Sequence, residues 1–458
     1  MRADIVRKDG RIWLENTECD CGFNHAAPKM DIYIRRGLIN NCAYCISRSG
    51  LGKKALIVAD SNTHSVAAAN IFKSLQSDGF DCRLCVLKGE NIEPIPDMVK
   101  HIMSKLDGDI EFLLAVGSGV ITDLTRRSAF LANIPFAVFG TAASMDAYTS
   151  ITSSMLEGGM KISRYGHAAR LLMFDTFILA AAPPLMSAAG VGDVFAKYNV
   201  LADWRLGRDV AGERYCPLCA GLVEQALEIC AKNVDEIARS SEIGAQALIE
   251  SLVLAGLTVL IVGDTRPVAS YEHNMAHYFE ISKLAYGGCA PPHGISAGIG
   301  LVYALMLHEM LYNARPSKAD KARIFAERIK RGEKRKLIVD GYPKGIGKQV
   351  LRENRYWYIS KKELGRRIDA LADCHERYRN DSVSKLPKHI DVVCVLKKLG
   401  APAYAAQAGI DVSRLKKALI CSKDYRRRYS VAFALDELGL FDKCIEQITK
   451  AEQLIRDV

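Results

Sequence analysis

Between residues 54 and 140, short uninterrupted apolar runs alternate with amphipathic stretches, and that alternation leaves few folds open. KALIVAD (54–60) reads as a buried parallel strand, and residues 82–88, EFLLAV (111–116) and PFAVFG (135–140) as further strands. Residues 63–76 and Ile92 to Leu106 read as helices between them, and MDIYIRRGL (30–38) as a further strand. A strand, a helix and a strand in succession need a right-handed crossover, which makes the sheet parallel. From about Asp175 the character changes. PPLMSAAGVGDVFAKYNVLADWRLG, the 222–262 region and most of the remainder carry helical periodicity, with no convincing strand. The chain therefore reads as an α/β domain with a parallel sheet (1–175) followed by an all-helical domain (176–458).

The helical half holds the densest chemistry. Between Gly263 and Gly298 lie His273, His277 and His293, flanked by Glu272 and Glu280. His273 and His277 are four apart and share one helix face. His293 follows a Gly/Pro turn, YGGCAPPHG, able to fold it back toward them. Upstream, GVGDVFAK supplies Asp193. Imidazole with carboxylate suits a borderline divalent ion such as zinc, iron, nickel or cobalt. The pattern is not HExxH, because position 274 is Asn. A helix-borne hydrolytic base is therefore not on offer, and a metal that polarises an oxygen fits better. The competing reading is a pair of packed or locally bonded histidines.

In the α/β half, Gly117-Ser118-Gly119 stands between a strand and a helix beginning near Thr122. Glycines there let the backbone approach a pyrophosphate, and the helix N-terminus presents N–H groups to it. The turn is neither GxGxxG nor a P-loop. Its weight comes from its neighbours. Asp60 ends an earlier strand, where a carboxylate can hold a ribose hydroxyl or cap the next helix. Thr141 and Ser144 end the next strand, and Asp146 and Ser150 follow in SMDAYTSITS, facing substrate or closing ordinary turns.

Composition excludes little. The apolar fraction of 49% and charged fraction of 25% are those of an ordinary globular protein. No apolar run reads as long enough to span a bilayer, the nearest being Leu252 to Gly263, and no signal peptide opens the chain. The expectation is a cytoplasmic protein without stable membrane insertion. The net charge of +10 is concentrated at 315–336, which reads as a solvated helical face rather than a nucleic-acid site, since no recognition motif accompanies it. Fourteen cysteines include CDC (Cys19, Cys21), CAYC (Cys42, Cys45), CRLC (Cys82, Cys85) and CPLC (Cys216, Cys219). Their spacing is not that of a zinc ribbon, so most read as reduced thiols packing as small hydrophobes.

Several pieces together resemble the glycerol-1-phosphate dehydrogenases of the iron-containing alcohol dehydrogenase and dehydroquinate synthase superfamily. They are GSGVITDLTR, TAASMDAYTS, GVGDVFAKY, LADWRLG, RPVASYEHNMAHYFE and PHG, with CDCGFNHAAP at the start and LKKLGAPAYAAQAGIDVSRLKKALICSKDYRRRYSVAFALDELGL in the tail. The resemblance implies a dinucleotide-binding α/β domain followed by a helical metal-binding domain. It implies reversible reduction of dihydroxyacetone phosphate to sn-glycerol 1-phosphate with NAD or NADP as cofactor, a step toward archaeal-type phospholipids. It implies one divalent metal ion (zinc or nickel foremost, iron as well) on Asp193, His273 and His293. His277, Asp146 and Asp193 match positions beside the substrate. Asp60, the turn Gly117, Ser118, Gly119, Val120 and Ile121 with Asp123, the run Thr141, Ala142, Ala143 and Ser144, and Ser150 match cofactor positions. Lys197 stands where the classical iron alcohol dehydrogenases place a further histidine ligand. As catalytic residues the reading takes Asp193, His277, Asp146 and Lys197.

On this reading His277 donates a proton or orients substrate, Asp146 holds glycerol hydroxyls, and Lys197 binds the phosphate or pairs with a carboxylate. The partners implied are a small phosphorylated triose or glycerol and further copies of the chain, as a homodimer or larger homo-oligomer, with no nucleic acid. The sequence departs from the family at TAASMDAY, where proline and glycine are usual, at Tyr271, where a small residue is usual, and at Thr122 in place of asparagine. These leave the proposed ligands intact and bear on the substrate. A glycerol or other polyol dehydrogenase shares the metal site without the phosphate. A non-catalytic NAD-binding protein on the same fold is the alternative of another class. A sugar-phosphate cyclase fits less well, for want of its extra basic residues.

Overall fold

The computed structural model describes residues 4–8, 10–15, 19–23, 25, 30–89, 92–157, 160–288, 290–343, 345–354 and 357–456. Of the opening motif CDCGFNHAAP, positions 24 and 26–28 lie outside the described residues. By backbone proximity the chain forms two compact units, Met1–Val194 with Pro217–Asp264, and Phe195–Cys216 with Thr265–Val458.

The first unit is built on a sheet. Its strands are β1 (Asp4–Lys8), β2 (Arg11–Glu15), β3 (Asp31–Ile34), β4 (Lys54–Asp60), β5 (Asp81–Leu87), β6 (Phe112–Gly117), β7 (Phe136–Gly140) and β10 (Leu171–Phe174), in the order β1-β2-β3-β10-β7-β6-β4-β5. From β3 to β5 every pairing is parallel, as the strand–helix alternation requires. The sheet is not parallel throughout, however. β1 and β2 add an antiparallel edge, β2 pairing with β3 and β1 with β2. A two-residue connection cannot make a crossover, and Gly10, at φ +74°, turns the chain directly back. β8 (Thr152–Glu157) and β9 (Met160–Tyr165) form a separate hairpin.

The apolar runs are buried as their composition demands. One face of the sheet packs Ile57, Leu114, Phe139 and Met173 against Ile46 of the helix Cys42–Arg48 and Ile71 and Leu75 of the helix Ala69–Ser77. Cys42, Cys45 and Cys82 lie in that core, and burial pushes the thiols of Cys45 and Cys82 up to about 11. These cysteines behave as small hydrophobes, as expected.

No strand follows Phe174 among the described residues. The helix Glu242–Val262 starts at Ser241, whose hydroxyl accepts from the Gly244 N–H at 3.0 Å, and ends at Gly263 in the left-handed region. It and His293–Ala314 are long and apolar enough by length and composition to cross a bilayer, which corrects the sequence reading of apolar run length. In both, 83% of the apolar window is buried inside the protein, so each is apolar all round because it is a core helix.

In the second unit, Tyr271–Tyr286 packs against His293–Ala314 at very short range. A Cβ on Gly300 would stand 2.6 Å from the carbonyl oxygen of Glu272, so only glycine permits the approach. The basic 315–336 stretch is engaged by acids of the same unit. Lys318 pairs with Asp373 at 2.6 Å, Lys334 with Asp436 at 2.9 Å and Arg323 with Glu327 at 2.9 Å. The tail lies in this unit, Tyr303 donating to Glu452 at 2.7 Å.

Candidate functional site

The carboxyl ends of three neighbouring parallel strands, β4, β6 and β7, bring Asp60, Gly117 and Thr141 to one edge of the sheet. Ligands of open parallel sheets bind at such an edge. The turn is tied across: the Thr141 N–H donates to the Gly117 carbonyl at 3.2 Å. The helix Gly119–Ala132 begins directly after Ser118, earlier than the sequence suggests, with its first amides toward that edge. Ile121 closes the turn from within, since a side chain on Gly117 would meet it at 2.7 Å. Val120 belongs to the same first helical turn.

Asp60 caps the helix that follows it. Its carboxylate accepts from the Thr63 N–H at 2.7 Å, and the Thr63 hydroxyl accepts from the Asp60 N–H at 3.0 Å. Asp123 is engaged by Arg126 at 2.7 Å, and both groups are pushed toward their neutral forms by burial, against their mutual attraction. Arg126 also donates to the carbonyls of Ala147 at 2.8 Å and Thr152 at 3.1 Å, so the pair fastens the loop that carries Asp146. Ser150 closes a local turn with the Thr152 N–H at 3.0 Å.

Asp193 sits on the helix Pro184–Leu206 and accepts from the Asp146 N–H at 2.9 Å. The approach depends on Gly190, where a Cβ would stand 2.0 Å from the Ala143 carbonyl oxygen. Asp193, Asp146 and the loop from Thr141 through Ala142 and Ala143 to Ser144 therefore form one packed group. One helical turn after Asp193 comes Lys197, which is fully buried.

The histidines meet as the sequence suggests. His277 and His293 have ring centroids 5.1 Å apart, and His273 and His293 5.4 Å. Each of two imidazoles is held by a carboxylate through Nδ1, His273 by Glu272 at 2.6 Å and His293 by Glu280 at 2.9 Å. His277 Nδ1 lies 3.4 Å from Glu280 as well. A carboxylate on Nδ1 fixes the ring, fixes its tautomer and turns the basic Nε2 outward, the arrangement typical of metal-ligating histidine. His277, Glu280 and His293 also present donor atoms within 4.8 Å of one another.

Behind the rings lies a buried polar network. The Ser270 N–H donates to Glu272 at 3.0 Å, and the Ser270 hydroxyl to Asp203 at 2.6 Å. Asp203 also receives the Val431 N–H at 2.7 Å and the Asn199 amide at 3.1 Å. Arg266 donates to the Asp203 carbonyl at 2.9 Å. The motifs LADWRLG and RPVASYEH are thus halves of one support for His273. Burial raises the Glu272 carboxyl, but the His273 hydrogen bond and charge and two backbone N–H groups outweigh it and hold it below its usual range.

Tyr271 is 1% exposed and donates to the Leu419 carbonyl at 2.7 Å. It anchors the histidine helix to the backbone of Leu419. Sequence reasoning missed Glu280 as a shared carboxylate, and it missed Asp203 and His308. Glu280 carries a signal, three positions after His277; its partnership with His293 has none, being a product of the turn.

Residues 33–183 match the iron-containing alcohol dehydrogenase family. The chain is 31% identical over 394 residues to a glycerol-1-phosphate dehydrogenase (NAD(P)+) of Halalkalibacterium halodurans, covering 83% of this chain and 96% of that protein. It is 26% identical over 429 residues to the protein of that name from Geobacillus stearothermophilus, covering 92% and 96%. Among solved structures, an iron-containing alcohol dehydrogenase from Corynebacterium glutamicum superposes with a TM-score of 0.61 at 12% identity, over 92% of this chain and 96% of that one, a likeness of fold.

Proposed function

The chain belongs to the glycerol-1-phosphate dehydrogenase family, and from that premise we propose that it reduces dihydroxyacetone phosphate with NADH or NADPH to sn-glycerol 1-phosphate, reversibly and with a divalent metal ion. The observation that carries the metal-dependent reading is the pair His273 and His293, each braced at Nδ1 by a glutamate. With the Asp193 carboxylate, the donor set is two neutral imidazoles and one anion, which suits zinc or nickel and leaves such an ion net positive charge and open positions.

A bound ion supplies electrostatic stabilisation to the oxygen at C2 as it gains charge, and the nicotinamide supplies the hydride that C2 receives. The chain does the rest. The Gly117–Gly119 turn and the helix behind it hold the pyrophosphate through backbone N–H groups. Asp60, already a helix cap, places its carboxylate where a ribose hydroxyl binds. Asp146 bonds the hydroxyls of the three-carbon substrate, and Lys197 takes its phosphate as a compact cation. His277 delivers the proton to the C2 oxygen, or holds that oxygen by a hydrogen bond.

The test strips the protein of metal and follows NADH oxidation with dihydroxyacetone phosphate while zinc, nickel, iron and cobalt are returned one at a time. Metal-dependent turnover giving the sn-1 enantiomer is expected. Turnover of unphosphorylated dihydroxyacetone in preference transfers the protein to the polyol dehydrogenases, and turnover of neither overturns the reading.

A further inference from the structure

Cys19, Cys21 and His25 form a second group of metal donors in the first unit. Their two sulfurs and a ring nitrogen of His25 lie within 4.8 Å of one another. We infer that this CxCx3H run is a structural zinc site, separate from the Asp193, His273 and His293 set.

His25 is already held in the tautomer that a metal needs. Its Nδ1 lies 3.0 Å from the carbonyl oxygen of Ile261, in the last turn of Glu242–Val262. Carbonyls of a last helical turn have no donor within their helix, so this oxygen accepts a hydrogen bond from the ring. Nδ1 is therefore the N–H, and Nε2 carries the lone pair. Nε2 faces the Cys21 sulfur at 3.2 Å. Tetrahedral zinc, with bonds of about 2.3 Å to sulfur and about 2.05 Å to nitrogen, sets those two atoms about 3.6 Å apart and two sulfurs about 3.8 Å apart. Small adjustments admit the ion. A backbone carbonyl on the far ring nitrogen is the usual brace of a zinc-bound histidine.

The chain is shaped for this contact. Gly22 adopts φ +75°, turning the backbone immediately after Cys21 so that His25 returns over it. The described residues of 19–25 have no helix or strand, so no ladder of backbone bonds holds them. A structural zinc contributes folding free energy outright to a segment without regular secondary structure. Cys19 and Cys21 are partly exposed, whereas the thiols of the CxxC pairs Cys42/Cys45 and Cys82/Cys85 are buried. The fourth position is filled by a donor outside this run or by water. A zinc ribbon is built on paired CxxC motifs, and a CxCx3H run is a different ligand pattern.

The experiment measures metal in the full-length protein and in a Cys19→Ser/Cys21→Ser variant, both loaded with zinc and then desalted. Wild type is expected to hold one more equivalent than the variant. Cobalt-loaded wild type is expected to show a near-ultraviolet thiolate-to-metal charge-transfer band that the variant lacks. Turnover of dihydroxyacetone phosphate, which uses the other set, is expected to persist in the variant, so failure of the proposed reaction does not bear on the outcome. Should the variant fail to fold, alkylation of native wild type decides: Cys19 and Cys21 are expected to be protected with zinc and labelled after chelation. Equal metal content with no charge-transfer band, or equal labelling with and without zinc, overturns the proposal.

Discussion

Gly300→Ala adds one methyl group where the histidine helices cross. Its carbon would stand 2.6 Å from the Glu272 carbonyl oxygen and 3.0 Å from the Glu272 Cα. A carbon rests against a carbonyl oxygen at about 3.3 Å or more, so the helices must part by about 0.7 Å. Both contacting atoms are backbone, so no rotamer change relieves them. Overpacking of this kind costs about 1–3 kcal/mol, the upper end where nothing can yield. Alanine returns about 1 kcal/mol through its better helix propensity. A net loss of about 1–2 kcal/mol remains. The displaced residue is Glu272, whose carboxylate sits 2.6 Å from His273, so the imidazole moves with it. Misplacement approaching 1 Å at a reacting centre lowers rate by roughly tenfold to a hundredfold. The assay is denaturant unfolding with a parallel metal titration, and Gly221→Ala is the control. Gly221 is interior to the helix Pro217–Lys232, with nothing within 4 Å of its Cβ position. That variant gains up to about 1 kcal/mol from the same chemical change. If Gly300→Ala unfolds at or above the wild-type midpoint with wild-type metal affinity, the close crossing does not position His273.

Asp193→Asn is expected to lower metal affinity and turnover together, on the order of a hundredfold, with NADH binding by fluorescence unchanged; normal metal content and rate would remove Asp193 from the site. Arg126→Met leaves Asp123 buried without its cation and is expected to cost about 3–5 kcal/mol in denaturant unfolding, with Asp123→Asn clearly milder. The pair His308 and Asp203, 3.6 Å apart, sets a pH effect that one substitution exposes. Burial holds His308 down at about 3, against its ordinary 6.5, so the unfolded chain binds the extra proton as pH falls below 6.5 and stability is lost. Burial raises Asp203 to about 7 from 3.8, so there the folded chain binds the extra proton and stability is gained as pH falls through 7. Between pH 7.5 and 5.5 the first effect costs on the order of 1 kcal/mol and the second offsets it. Asp203→Asn keeps only the first, and the variant is expected to lose roughly 1–2 kcal/mol more than wild type on acidification, read from denaturant midpoints at the two pH values.

How far the sequence carries depends on the range over which each signal acts. β4, β6 and β7 were legible because a strand buried on both faces leaves an unbroken apolar run. The β1–β2 hairpin was overlooked although Asp9-Gly10 is the strongest short signal for a tight turn, because a short, half-exposed edge needs no apolar run. His273 and His277 were legible because four residues make one turn. The carboxylate on His293 was not, because Glu280 stands 13 residues away and only the packed turn between the helices decides which ring it meets.

The same distinction separates the ligands from their supports. A ligand is recognised by residue type, and a histidine carries that information wherever it stands. A support is recognised by position. Ser270 matters because its hydroxyl reaches Asp203, 67 residues earlier, and Asp203 because it also receives the Val431 N–H, 228 residues later. No local pattern encodes either distance. Asp203, Ser270 and Glu272 nevertheless form one continuous path to Nδ1 of His273. Substitutions along it should therefore act on metal affinity in proportion to their nearness to the ring: Glu272→Gln most, Ser270→Ala less, Asp203→Asn least, measured by zinc titration. An effect of Asp203→Asn larger than that of Glu272→Gln would mean that the network holds the fold of this unit and that the orientation of His273 is set elsewhere.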